Sequence, residues 1–180
     1  PAALPPPAAP TQASLIRGVI LPRDFTSQAE AFAQTQGTTF FHLGVAGLAA
    51  MLHRRSKATE VLIGTQVTGR EVQTAEGIVG PLLNAVALRI GTPPLASLGS
   101  LLRETADKTV EALSNQSAPF ECVVDAVAPA ERDQRHPLYA INFALQSAFI
   151  HDNSTADKAY GRFEITSMPS QSASPIWDLN

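Results

Sequence analysis

Between Thr39 and Lys57 the chain carries an apolar run, Phe40 to Leu52, whose apolar residues fall all the way round a helical projection. A helix of that pattern has to be covered on most of its sides, so it is expected to be the core of whatever fold forms. Thr38 or Thr39 offers the N-cap, and the helix is expected to run to Arg55. The run includes His42 and two glycines and falls well short of the ~20 residues that a membrane-spanning helix needs. With 180 residues, 44% of them hydrophobic, the chain is long enough to enclose such a helix in one compact unit.

The flanking segments supply the cover. Leu15–Leu21 is rich in β-branched residues and closes at Pro22, which predicts a strand. Asp24, Thr26 or Ser27 can cap a following helix that carries Ala29, Phe32 and Ala33 on one face, and Gly37 ends it. Val61–Val67 and Leu82–Ile90 are short apolar runs suited to strands of a covered sheet.

After Ser97, a natural N-cap, Leu98, Leu101, Leu102, Thr105, Thr109 and Ala112 recur three and four apart and define an amphipathic helix. Pro119 suits the first turn of a shorter helix with Phe120, Val123, Val124 and Val127 on one stripe. Tyr139, Ile141, Phe143 and Leu145 then alternate with Ala140, Asn142, Ala144 and Gln146, the period of a strand running from Leu138 to Ser147. A loop over His151–Lys158 and a strand at Phe163 and Ile165 follow. The expected fold class is α/β, a two-layer sandwich of mixed β-sheet with packed helices.

Five of the first ten residues are proline, which cannot donate ladder or helix hydrogen bonds, so residues 1–13 read as a Pro/Ala-rich linker or arm and residues 14–180 as the folded unit. The arm lacks the basic start and apolar middle of a signal peptide, which leaves a cytosolic protein as the expectation. Thirteen basic against 16 acidic residues, scattered apart from His53-Arg54-Arg55, give no footprint for nucleic acid. One cysteine, Cys122, allows no disulfide framework and is expected to be a small buried hydrophobe. Neither paired histidines nor a Cys/His cluster is present to bind a metal, and Gly64, Gly69, Gly77 and Gly80 make no phosphate-binding fingerprint.

Four local strings narrow the reading further. Gly64-Thr65-Gln66-Val67-Thr68-Gly69-Arg70 comes first, and Ile78 to Ala85 with a following Arg89 comes second. Asn115-Gln116-Ser117-Ala118-Pro119-Phe120-Glu121 is the third, and Arg132-Asp133-Gln134-Arg135-His136-Pro137-Leu138-Tyr139 the fourth. In this order they resemble the later core motifs of condensation domains in nonribosomal peptide synthetases, over roughly residues 14 to 147. Trp177-Asp178-Leu179 is similar to that family's Phe-Asp-Leu segment, after which such domains continue.

The resemblance implies one lobe, the C-terminal one, of a fold in the chloramphenicol-acetyltransferase-like, coenzyme-A-dependent acyltransferase superfamily, incomplete at its C-terminal end. It implies amide formation between a carrier-bound acyl or peptidyl thioester and a carrier-bound amine. The partners it implies are the N-terminal lobe, donor and acceptor peptidyl carrier domains and an adenylation domain, with no nucleic acid and no membrane. No cofactor is expected to bind directly, since the phosphopantetheine arm arrives on the carriers. The family's His-His-x-x-x-Asp-Gly motif is assigned to the other lobe, and His42, His53, His136 and His151 are all isolated, so no catalytic residue is expected in this chain. The fragment alone is expected to be inactive. A lobe of a free-standing carrier- or coenzyme-A-dependent acyltransferase and a non-catalytic carrier-docking module are the alternatives.

Individual residues carry narrower expectations. His42 reads as a packed or hydrogen-bonded core histidine, and His53 as a residue at the negative end of its helix. Asn84, a polar residue in an apolar strand, either faces the reaction tunnel, as the resemblance implies, or bonds neighbouring backbone. Arg70 and Arg89 either line the tunnel or form surface ion pairs. Arg132, Asp133 and Arg135 are expected to fix the turn into the following strand, with Pro137 in the same motif. Gln116, Pro119 and Phe120 are assigned to helix entry and packing.

Overall fold

The computed structural model describes residues 15–69, 78–94, 96–131, 137–145 and 177–179. Its regular elements are α1 (Arg23–Thr35), α2 (Phe40–Ser56), β1 (Glu60–Val67), β2 (Asn84–Gly91), α3 (Leu98–Ser114) and α4 (Phe120–Val127), followed by a 3₁₀ turn at Pro129–Glu131. The linker assigned to residues 1–13, the loop over 151–158 and the strand at Phe163 and Ile165 lie outside the described residues.

α2 begins where a threonine and a histidine satisfy each other's backbone. The Thr39 hydroxyl accepts from the His42 amide at 3.3 Å, and the Thr39 amide donates to His42 Nδ1 at 3.2 Å. This is a capping box with histidine in the place usually held by Glu or Gln. Val45, Ala46, Ala49 and Leu52 are buried, but Gly47, Met51 and Arg54 form an exposed strip, so α2 is covered on three sides rather than all round. At its far end Lys57 adopts φ 59°, and His53 Nδ1 donates to the Ala58 carbonyl at 2.6 Å.

β1 and β2 pair antiparallel from Glu60↔Gly91 to Val67↔Asn84. One face of the pair, with Val61, Ile63, Leu88 and Ile90, packs against α2 and α3 around Val45, Ala49, Leu101 and Leu102. Thr105 and Thr109 sit in this buried interface because their hydroxyls donate to the Leu101 and Thr105 carbonyls, both at 2.8 Å. A buried hydroxyl so paired avoids the cost of an unmet polar group. Ser97 caps α3 as expected, accepting from the Ser100 amide at 3.1 Å.

The second edge of β1 takes up residues 141–143. Gly64 N–H donates to the Ile141 carbonyl and Phe143 N–H to the Gly64 carbonyl, both at 2.8 Å, in a parallel bridge. Asn142 N–H in turn donates to the Leu179 carbonyl at 2.8 Å, and Ile141 bridges Leu179, again parallel. The sheet is therefore mixed, and helices cover one side of it: the α/β layering expected from the pattern.

Several local expectations change. Leu15–Leu21 forms no strand and is exposed, because a strand needs a neighbouring ladder and none of the described residues supplies one. α1 starts at Arg23, with Pro22 at the cap position and no side-chain cap, and Thr26 Oγ1 instead donates to the Arg23 carbonyl at 2.9 Å. β2 starts at Asn84 rather than Leu82, and Leu83 is exposed. On α4 only Val124 is fully buried; Val127 is exposed, and so is Cys122, which is not a core residue. Asn142, on the register expected to be polar and open, is 2% exposed, since the bridges to Gly64 and Leu179 put it inside the sheet.

Gly64 has no room for a side chain: a Cβ there would fall within the Tyr139 ring, while both its backbone groups bond to residues 141 and 143. Gly64→Ala is expected to destabilise the fold by about 3 kcal/mol, the upper part of the range for overpacking, read as a lower urea midpoint with an unchanged denaturant slope. An unchanged midpoint would mean that the ring and the strand separate at no cost.

Candidate functional site

The four strings singled out in the sequence lie far apart along the chain, and the fold brings their described parts to one seam. Gly69, at φ +62°, closes the first string against the second: a Cβ there would collide with the Leu82 carbonyl, so the two backbones touch directly. Gly64 of the first string lies against Tyr139 of the fourth, and Tyr139 stacks at a tilt on Phe120 of the third, with ring centroids 5.5 Å apart. Such a pair of rings adds about 1 kcal/mol to the area it buries.

Asn84 joins the second string to the third. Its Nδ2 donates to the Gln116 and Ala118 carbonyls, both at 2.8 Å. Its Oδ1 accepts from the Ala85 amide at 2.9 Å and from the Phe120 amide at 3.2 Å. Two donors and two acceptor positions are all that a side-chain amide has. Asn84 thus ties the start of β2 to the turn before α4 and caps one of the unpaired amides at that helix's start, which Pro119 leaves without a side-chain cap. Of its two readings, the geometry is that of backbone bonding.

The fourth string enters the sheet through a strained turn. Leu138 has φ 67°, and Tyr139 N–H donates back to the Pro137 carbonyl at 2.9 Å. The Leu138 amide donates to Glu131 Oε2 at 3.1 Å, so the carboxylate at the end of the 3₁₀ turn holds this conformation. Beyond the turn, burial raises the Tyr139 hydroxyl above the ordinary phenol range, partly offset by its bond to Trp177. An indole N–H can only donate, so Tyr139 oxygen accepts. Gln66 Nε2 donates to Asn142 Oδ1 at 2.7 Å and clasps β1 to the segment that follows Tyr139.

Charge lies at the margin. Arg89 points from the exposed side of β2 and pairs with Glu60 at 2.7 Å, with both side chains about half or more exposed, so it is the surface ion pair of its two readings. The guanidinium's hydrogen bond holds the Glu60 carboxyl below its ordinary value. Gln116, Pro119 and Phe120 stand at helix entry as expected, and Pro137 opens the strained turn. Arg70, Arg132, Asp133, Arg135, His136 and His151 lie outside the described residues. Among the described residues no group of three His, Cys, Asp or Glu side chains could hold a metal, and no helix is long and apolar enough to cross a membrane.

Sequence reasoning missed Gly64, Tyr139, Gln66 and Asn142 as members of this seam. A glycine inside an apolar strand is a signal of close backbone approach, and Gly64 carried it. The Gln66–Asn142 clasp has no local signal, because its partners are 76 positions apart.

A protein-family model described as the condensation domain matches residues 1–180. A phosphinothricin tripeptide synthetase of Streptomyces viridochromogenes is 31% identical over 86% of this chain and 14% of its own length. The isonitrile lipopeptide synthase of Mycobacterium tuberculosis is 30% identical over 97% of this chain and 7% of its own. The chain thus spans a small part of the curated relatives it matches. Among solved structures, the first condensation domain of the calcium-dependent antibiotic synthetase, in complex with a substrate analogue, is 26% identical with a TM-score of 0.58, covering 63% of this chain and 26% of that one.

Two measurements check the seam and the core helix. Asn84→Ala leaves two carbonyls and the Phe120 amide without their partner and is expected to cost about 2 kcal/mol in urea unfolding; a loss under 0.5 kcal/mol would remove Asn84 from the seam. For His42, burial lowers the imidazole below its ordinary value, so the folded chain takes up the proton less readily than the unfolded one. Stability should therefore hold above about pH 6.5 and fall as pH drops through and below that value, as the Nδ1 acceptor in the capping box is lost. His42→Gln keeps an acceptor and is expected to flatten the pH 8 to 5 profile of the unfolding midpoint; identical slopes in both proteins would exclude the histidine as the cause.

Proposed function

This chain belongs to the condensation-domain family, and from that premise we propose that it is the C-terminal lobe of a condensation domain in a nonribosomal peptide synthetase. The observation that carries the proposal is the seam itself. Four strings that resemble the family's later motifs make direct contact or share hydrogen bonds wherever they are described, through Gly64 with Tyr139, Gly69 with Leu82, and Asn84 with Gln116 and Phe120.

The reaction is amide formation between two carrier-bound substrates. The amine nitrogen on the acceptor attacks the thioester carbon on the donor and gives a tetrahedral oxyanion. Collapse of that intermediate forms the C–N bond, breaks the C–S bond and releases the donor carrier's thiol, while the amine proton leaves to a base. That base is the histidine of the His-His-x-x-x-Asp-Gly motif, a pattern that does not occur in these 180 residues. The phosphopantetheine tethers belong to the carriers and enter as part of the substrates.

The role of this lobe is to hold a wall of the reaction space in place. Proximity and orientation supply much of the rate in a reaction between two tethered partners, and a wall that shifts by about 1 Å gives up a large share of it. Asn84, Gly64 and Glu131 are accordingly positioning residues: each fixes backbone.

The decisive experiment supplies loaded donor and acceptor carriers to the complete condensation domain and, separately, to this chain alone. Amide product is expected from the first and none from the second. Turnover by the 180-residue chain alone would overturn the assignment of the base to the other lobe, and turnover of the complete domain with free acyl-coenzyme A in place of the donor carrier would favour a free-standing acyltransferase instead.

A further inference from the structure

Residues 15–21, Leu-Ile-Arg-Gly-Val-Ile-Leu, have the composition of a strand and none of its partners. All seven are exposed, Val19 at 81% and Ile20 at 97%. No backbone N–H or C=O in the segment is hydrogen-bonded. Pro22 biases the residue before it toward extended backbone. In an extended chain Leu15, Val19 and Leu21 point to one side and Ile16 and Ile20 to the other, so the segment is apolar on both faces. Strands of that kind belong inside a sheet that is covered on both sides. Phe25, 55% exposed near the start of α1, continues the apolar surface.

The chain's own sheet does not take this segment in. β1 already has β2 on one edge and residues 141–143 on the other. A second copy pairing through the same segment would make an isolated two-stranded ribbon, which is marginal in water and leaves both apolar faces uncovered. What remains is an established sheet with a free edge. The solved condensation domain has such chain to spare, since the part this protein covers is 26% of that structure's chain.

We propose that residues 15–21 are a docking strand that adds, by backbone hydrogen bonding, to an open sheet edge in the part of the condensation domain outside these 180 residues. The mode is strand addition: main-chain bonds supply the affinity, and the alternating side chains enter pockets on both faces. The inference rests on the reading of this chain as one lobe, and it names the element through which the two parts are joined. Pro22 and α1 follow at once, so the docked strand would run directly into the helix packed on α2.

Hydrogen exchange on the intact condensation domain tests this without any variant. The amides of 16–21 are expected to exchange at least 100-fold more slowly than in an unstructured peptide. Val19→Pro, which removes one donor at a residue with little packing, is expected to return the whole segment to fast exchange while the amides of β1 and α3 stay protected. Exchange at the unstructured rate in the wild-type domain would overturn the proposal, and so would protection that rises with protein concentration, which would assign the segment to a second copy. Because exchange is read without turnover, a domain with a protected segment that forms no amide would sink the proposed function and leave the docking strand standing.

Discussion

The close approach at Gly64 is the constraint from which the rest of the seam follows. Its missing side chain lets an aromatic ring rest on the strand while its amide and carbonyl hold residues 141–143 at the strand's edge. Any larger residue would have to give up one of the two. With the ring in place, Tyr139 reaches Phe120 on one side and Trp177 on the other, and Asn142 comes within reach of Gln66. The helical side of the sheet needs no such device: Leu102, Ile63 and Leu88 interlock there by ordinary burial.

The helices were legible because their information is local. Ser97 and Thr39 stand immediately before apolar residues at helical spacing, and a cap and a stripe together define a start and a face. α1 was misplaced at its start because Thr26, Ser27 and Asp24 all look like caps, whereas Pro22 begins the helix through its carbonyl, which accepts from Thr26 N–H at 3.1 Å. α2 was expected to be covered all round because Gly47 and Met51 are apolar, yet small and flexible residues tolerate an open side. Cys122 and Val127 failed for the opposite reason: a helix of eight residues buries a narrow stripe, here centred on Val124, and its other apolar positions face water.

The sheet and the seam were less legible, since both depend on which segments meet. The seven apolar residues from Leu15 read as a strand on composition, but ladder bonds belong to pairs of segments. Alternation from Tyr139 marked an extended segment correctly and misjudged which residues would be open, because both of its edges are bridged. Asn84 could be picked out as a polar residue in an apolar strand, but not assigned: the carbonyls it serves are 32 and 34 positions away. Resemblance identified the strings; only the fold explains why they must be kept together.

The same distances order events during synthesis. β1, β2 and α2 can meet as soon as they have emerged, but the second edge of β1 has to wait for residues 141–143, some 76 positions beyond Gln66. At about 5–20 residues per second that is roughly 4–15 s in which a newly made strand edge is open to any other nascent chain. Synthetases of this family repeat similar domains along very long polypeptides, so the nearest competitor for that edge is a sibling copy of the strand meant to close it. A glycine at the centre of the edge, with no side chain to hold a wrong partner in register, would make such mispairings weak until Tyr139 arrives to cover it.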